Sequence, residues 1–212
     1  RPINALVDVT NYISYDRGRP LHVYDADKLK GPLRARLGNK IEKFLGLDGK
    51  EHTVDPTMCV IADDSGPLGF GGIMGGETTG STSATTNVFI ESAYFDPVRT
   101  AQTGRKAGLS TDARYRFERG VDPAYVMGGL DLATDMILKL CGGTPTKMEV
   151  AGKEPILNRV IAFDFARIRK LSGVALPDAE IKGILEALGC KVDGTPDAAK
   201  VAVPSWRPDI HG

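Results

Sequence analysis

At 212 residues the chain can form one large domain, or one domain with a smaller companion, and its 42% apolar content supplies a packed core. Its 27 basic and 27 acidic residues cancel, which excludes a globally basic nucleic-acid binder and leaves only a local patch for such a partner. Cys59, Cys141 and Cys190 are far apart and lack CxxC spacing, which predicts reduced thiols, a cytoplasmic setting and no zinc site; no apolar run approaches a membrane span and no signal peptide heads the chain.

The chain starts at Arg1-Pro2 without Met and stops at His211-Gly212 after an ordered-looking segment, which points to an excised piece of a longer polypeptide. From Ile3 to Asp16, Ala5, Leu6, Val9 and Ile13 recur at helical spacing, and Gly18 ends the stripe. Thr10 and Asn11 lie near the middle of that helix, where such residues are poor formers; they have either a task or a place on an exposed polar turn. Arg19 to Asp25 reads as an extended segment entering a strand, with Pro20 fixing the approach. His22 stands there between Leu21 and Val23, as a structural histidine or a functional one.

Leu33 to Leu37 alternates as a half-exposed strand does, Asp48-Gly49 marks a hairpin turn, and Met58 to Ala62 is a further strand. Short strands in succession predict an antiparallel arrangement. The stretch Phe70 to Pro123 then reads as the wall of a ligand site. Paired glycines from Gly71 to Gly76 allow close backbone approach, in an order that is neither a P-loop nor a dinucleotide fingerprint. Thr78 to Asn87 is loop-like, and the strand Val88 to Ile90 brings Glu91 to its end, a carboxylate among apolar neighbours that is costly to bury without a partner. Asp96-Pro97 and Asp122-Pro123 both signal helix starts. The first helix stops at Gly108; the second carries Val126, Leu130, Ala133, Ile137 and Leu140 on one face and stops at Gly142-Gly143. Between them Arg114, Arg116 and Arg119 alternate with Tyr115 and Phe117. That pattern suits phosphate and stacking contacts with a single-stranded end, and equally a salt-bridge cluster with Asp112 and Glu118.

Composition changes at residues 151–154, read as a linker between a domain at 1–150 and another at 155–212. The second part presents a strand over Arg159–Phe163, a helix over Phe165–Leu171, and a helix from Pro177-Asp178 with Ile181, Ile184, Leu185 and Leu188 on its core face. A hairpin of Cys190–Val192 with Val201–Val203 closes a small α+β unit of winged-helix flavour.

Six segments carry a resemblance. Val7-Asp8-Val9-Thr10-Asn11-Tyr12, Pro20-Leu21-His22, Gly72-Ile73-Met74-Gly75-Gly76-Glu77, Glu91-Ser92-Ala93-Tyr94-Phe95, Arg116-Phe117-Glu118-Arg119-Gly120-Val121-Asp122-Pro123 and Val203-Pro204-Ser205-Trp206-Arg207-Pro208-Asp209-Ile210 together resemble the beta subunit of bacterial phenylalanyl-tRNA synthetase. The resemblance implies an α+β fold: a B3/B4 editing domain with mixed or antiparallel sheets, a β-sandwich-like core and flanking helices, followed by a nearly complete, winged-helix-like B5 domain. It implies hydrolysis of tyrosine wrongly attached to the phenylalanine tRNA, within a ligase of two alpha and two beta subunits whose alpha subunit aminoacylates with ATP and magnesium. No cofactor is expected in this part.

On that resemblance Glu91 reads the phenol of tyrosine, with Gly75, Thr111 and Ala113 as the amino-acid wall. His22, Asn11 and Thr10 stand near the scissile ester or terminal adenosine. From their own pattern, and not from the resemblance, Arg114, Arg116 and Arg119 are the candidate contacts for the tRNA 3′ end. Asp209 is the first of a set of magnesium carboxylates whose other members would lie past Gly212. With no Ser-His-Asp or Cys-His constellation, a positioned water is expected as nucleophile. The alternative is a non-catalytic module for tRNA docking or subunit contact, or a structural segment inactive outside the tetramer.

Overall fold

The computed structural model describes residues 3–153, 155 and 158–212, and divides the chain into two units, Arg1–Lys153 and Glu154–Gly212. Arg1-Pro2 and Glu154, the last residue of the expected linker, lie outside the described residues. No described helix is long and apolar enough to cross a membrane.

In the first unit, helix α1 (Ala5–Arg17) begins where the Asn4 side chain accepts a hydrogen bond from the Val7 amide at 2.9 Å, and ends at Gly18 in the left-handed region. Its Leu6, Val9 and Ile13 are buried as their spacing predicts, against Ala133 and Ile137 of a later helix and Val23 of strand β1 (His22–Asp25). Ala5 is exposed instead, because the first turn precedes the packed face. Strands β2 (Arg34–Leu37), β3 (Glu42–Leu45), β4 (Glu51–Val54), β5 (Cys59–Asp63), β6 (Gly66–Phe70) and β7 (Met74–Gly75) follow. The β3–β4 hairpin turns at Asp48-Gly49 as expected. It packs Phe44 and Val54 against Met58, just before β5, and against Val60, Ala62 and Phe70 of an antiparallel four-stranded sheet ordered β2-β5-β6-β7. The α+β class with antiparallel sheets flanked by helices is therefore present.

Strand β8 (Val88–Glu91) returns to pair with β1 alone, in a separate two-stranded sheet with His22 opposite Glu91 and Tyr24 opposite Phe89. Helix α2 (Pro97–Ala107) starts on the Asp96 cap and stops at Gly108. A short helix, α3 (Asp112–Phe117), occupies the arginine-rich stretch, where sequence pattern assigned none. Six residues are too few to show a period, and the signal was the Thr111 cap, whose hydroxyl accepts from the Arg114 amide at 3.1 Å. Asp122-Pro123 opens a 3-10 turn before helix α4 (Val126–Cys141). The buried residues of α4 are Gly129, Ala133 and Ile137; Leu140, placed on the same face by spacing, is exposed.

The second unit runs β9 (Val160–Phe163), α5 (Ala166–Ser172), α6 (Asp178–Ala187), β10 (Lys191–Asp193) and β11 (Ala199–Ala202). The three strands form an antiparallel sheet ordered β10-β11-β9, and the strand-helix-helix-strand-strand order has the winged-helix character expected. Its core is Phe165, Ile181, Val192, Ala199 and Val201, with Leu185 packed alongside, while Ile184 of α6 and its C-cap Leu188 stay exposed.

Arg19, unmarked by any motif or period, is 1% exposed. Its Nη1 donates to the Ala93 carbonyl at 2.7 Å and its Nη2 to the Asp122 carbonyl, tying the chain after β8 to the turn before α4. Gly129 admits it, since a Cβ there would stand 2.7 Å from the Arg19 Cγ. Burial pushes the Arg19 pKa down, and the nearby Asp122 carboxylate opposes that. Arg19→Met strands two carbonyls and is expected to cost roughly 2–4 kcal/mol in urea unfolding, with Arg19→Lys recovering only part because an ammonium lacks the forked geometry.

Candidate functional site

A cavity of about 80 Å³ lies between the β1–β8 sheet and the glycine-rich edge of the four-stranded sheet. His22, Tyr24 and Glu91 line it from one side, Gly72 to Gly75 from another, and Phe95, Ala113 and Phe117 close it. Strand geometry explains the first group. His22 and Tyr24 are two apart on β1 and share a face, and the antiparallel register sets Glu91 directly across from His22. The walls are mostly apolar, so these polar groups stand in a poorly solvated place.

The Tyr24 hydroxyl donates to Glu91 Oε2 at 2.6 Å. Burial pushes the Glu91 carboxyl above the usual range, and the Tyr24 hydroxyl offsets part of that push. Burial, then the neighbouring Glu91, drive the Tyr24 phenol far above its ordinary value, so it stays a donor. The His22 ring stands edge-on to Tyr24 with centroids 4.4 Å apart; its Nε2 is buried with no hydrogen-bond partner among the described residues. Burial lowers its pKa to about 4, which leaves a neutral imidazole at pH 7.

The glycines turn out to admit the protein's own side chains. A Cβ on Gly75 would lie 2.4 Å from His22 Cε1 and Nε2, so even an alanine must displace the imidazole. Gly72, at φ 72°, is approached in the same way by Phe95 and Phe117, whose rings pack edge to face at 5.1 Å. A bulky residue at position 75 therefore acts through His22 as well as by filling space.

The expected residues separate into three groups. His22, Gly75, Glu91 and Ala113 share the cavity. Thr111, Thr10 and Asn11 are not among its lining: Thr111 caps α3 and donates to the Ile73 carbonyl at 2.7 Å, Thr10 donates to the Val7 carbonyl at 2.8 Å within α1, and Asn11 is exposed. The arginines are largely committed. Arg114 donates to Glu118 at 2.9 Å and to the Leu109 carbonyl, packed over Gly104. Arg116 donates to the Ser14 carbonyl at 3.0 Å and lies over the Tyr15 ring. Arg119 alone of the three has a mostly exposed side chain; it stacks on Tyr115 with its Cζ 3.8 Å from the ring centroid. In the second unit Asp209 makes a two-point pair with Arg207 at 2.9 and 2.8 Å, which holds its carboxyl at about 2. The described residues contain no group of three or more His, Cys, Asp or Glu that would hold a metal, and one paired carboxylate does not supply a magnesium site. Tyr24 escaped the sequence reading; its only signal was the two-residue offset from His22 on a strand.

This half-open pocket brings a few polar groups together among mainly apolar walls. Residues 1–142 match the B3/4 domain model, and the chain belongs to that family. Residues 161–212 match the tRNA synthetase B5 domain. The chain is 51% identical over all 212 residues to the phenylalanine–tRNA ligase beta subunit of Rhodopseudomonas palustris, and 53% identical over 212 residues to that of Rhodospirillum rubrum, covering 26% of each. It spans about a quarter of the length of these relatives. A solved N-terminal fragment of the phenylalanyl-tRNA synthetase beta subunit from Pyrococcus horikoshii aligns at a TM-score of 0.46 and 21% identity, over 98% of this chain and 61% of that one.

Neutral His22 has a thermodynamic signature. It protonates at about 4 when folded and near 6.5 when unfolded, so between those values the unfolded chain binds a proton that the folded one does not. Stability is unaffected by this group at pH 8 and falls as pH drops through 6.5 toward 4. Relative to His22→Gln, the parent chain is expected to lose about 2 kcal/mol between pH 8 and pH 5 in urea unfolding. Parallel pH profiles for the two would show an imidazole that titrates normally.

Proposed function

We propose that this chain is the editing part of a phenylalanine–tRNA ligase beta subunit and hydrolyses tyrosine esterified to the phenylalanine tRNA. One observation carries the reading: a half-buried carboxylate, Glu91, and a half-buried neutral imidazole, His22, whose Nε2 is buried without a partner among the described residues, face each other across one sheet into one mainly apolar cavity. Tyrosine differs from phenylalanine by a hydroxyl. A synthetic pocket shaped for the smaller ring rejects the added hydroxyl by only about 10², whereas a pocket with a buried acceptor rejects the ring lacking it by roughly 10⁴ or more. Glu91 is that acceptor, and Ala113 leaves room beside it.

Hydrolysis of the ester needs a water directed at the carbonyl carbon and donors directed at the oxygen that gains charge. With a pKa near 4, His22 is too weak a base at pH 7 to take up much of the water's proton, so it orients the water or the ester through Nε2. Asn11 on the exposed face of α1 is the contact proposed for the terminal nucleoside, while Thr10 serves the helix through Val7. Arg119 with Tyr115 offers the exposed cation and ring for the tRNA end, and Arg114 and Arg116 hold that surface together. In the whole ligase, the alpha subunit with ATP and magnesium makes the aminoacyl bond that this part would test.

The test is deacylation of tyrosyl-tRNA and phenylalanyl-tRNA by the assembled ligase. Glu91→Ala is expected to lower the preference for the tyrosyl ester by about 10² or more, and His22→Ala to slow hydrolysis at a smaller cost in preference. Wild-type rates and preference in both variants would place the editing site elsewhere.

A further inference from the structure

Glu91 already has a phenol. The Tyr24 hydroxyl bonds Oε2 at 2.6 Å inside the cavity, and the same ring meets His22 edge-on at 4.4 Å. Tyr24 is 2% exposed and belongs to a core cluster with Ile61, Leu68, Phe95, Phe117 and Val121. A ring held on that many sides does not swing aside to make way for a ligand, so it is not a plug that substrate displaces. A carboxylate has two oxygens and about four lone-pair positions, and Tyr24 takes one. The remaining capacity of Glu91 is left for a second donor.

We infer that Tyr24 is a positioning residue for substrate selection: its phenol clamps the Glu91 carboxylate so that the other oxygen is presented to the hydroxyl of a bound tyrosyl group. The inference rests on the editing role proposed above and adds a residue to it. The physical need is plain. Tyr24 supplies the side-chain hydrogen bond that fixes the Glu91 carboxylate among the described residues, and an acceptor that wanders does not discriminate between a ring with a hydroxyl and one without. Glu91 lies in surroundings that favour its neutral form, and a neutral carboxyl would accept the substrate hydroxyl less well. A donor bond to the ionised form resists both effects. It comes from a residue whose backbone the β1–β8 register fixes, one pleat along from His22.

Tyr24→Phe removes one oxygen and keeps the ring, so packing against His22 and the core is preserved. In the assembled ligase this variant is expected to lower the tyrosyl-over-phenylalanyl preference about tenfold, the size of one hydrogen bond to a charged group, with the slow rate on phenylalanyl-tRNA unchanged. A merely structural role would lower both rates together. The pH profile supplies the second readout. The preference depends on ionised Glu91 and is lost as pH falls through its folded pKa. Without the Tyr24 bond that pKa rises, and the loss moves to higher pH. 3-Fluorotyrosine at position 24 keeps the fold and strengthens the donor, so it moves the loss to lower pH. Unchanged preference and an unshifted profile in both forms overturn the inference, as does faster tyrosyl hydrolysis by Tyr24→Phe, which would make the phenol a competitor. Glu91→Ala, which removes both acceptor oxygens, separates the two levels in the same assay. If it and His22→Ala both keep wild-type rates and preference, the editing assignment itself fails. If Glu91→Ala abolishes preference while Tyr24→Phe behaves as wild type, only the role of Tyr24 falls.

Discussion

The pairing of β1 with β8 is the constraint on which the site depends. Two four-residue strands far apart in sequence make a sheet of their own, and nothing else brings His22, Tyr24 and Glu91 to one face. Side chains on a strand alternate, so a slip of one residue would turn Glu91 away from His22 and Tyr24 and into the opposite layer. An isolated pair of strands is marginal in water. Here Val23 sits in the α1–α4 core on one face, while Tyr24 sits in the Phe95–Phe117 core on the other. Arg19, just before β1, fixes the chain on either side of the site by binding the carbonyls of Ala93 and Asp122. A buried cation is costly, and its use here makes sense as a reach across three segments that no single apolar side chain would give.

Much of this was legible in the residues. The α1 stripe, the Asp48-Gly49 hairpin, the Asp96-Pro97 helix start and the antiparallel order follow from period and cap chemistry, which act locally. The cavity was legible only in part. His22, Gly75, Glu91 and Ala113 meet in one place, but their meeting is a matter of register between distant strands, which composition and spacing do not encode. Tyr24 and Arg19 were invisible for the same reason: a tyrosine in a strand and an arginine before a proline carry no mark of the partners they find 67 and 74 residues later. Helix α3 was missed because its evidence is a single capping threonine rather than a repeat.

The arginine cluster is mostly spent within the fold, which its sequence pattern does not reveal. All three donate to carbonyls or carboxylates, Arg119 to the Tyr115 carbonyl and Glu118, and of the three only Arg119, stacked on Tyr115, keeps a mostly exposed side chain. A guanidinium that donates to backbone carbonyls organises the surface that an exposed neighbour presents. The glycines behave alike. The paired glycines read as room for a bound molecule, and the groups that approach Gly72 and Gly75 are the protein's own Phe95, Phe117 and His22, so their smallness sets where these side chains stand.

Low polarity ties these features to chemistry. The surroundings that make Glu91 expensive to ionise also make the Tyr24 hydroxyl it accepts worth more than in water. The same surroundings hold His22 neutral, so its Nε2 can take part in a hydrogen bond without bringing a second charge against Glu91. A protonated imidazole opposite the carboxylate would form an ion pair and withdraw the acceptor from any ligand. Burial therefore keeps the pair apart electrically while the sheet keeps it together in space. Tyr24, neutral and donating, steadies the carboxylate without neutralising it.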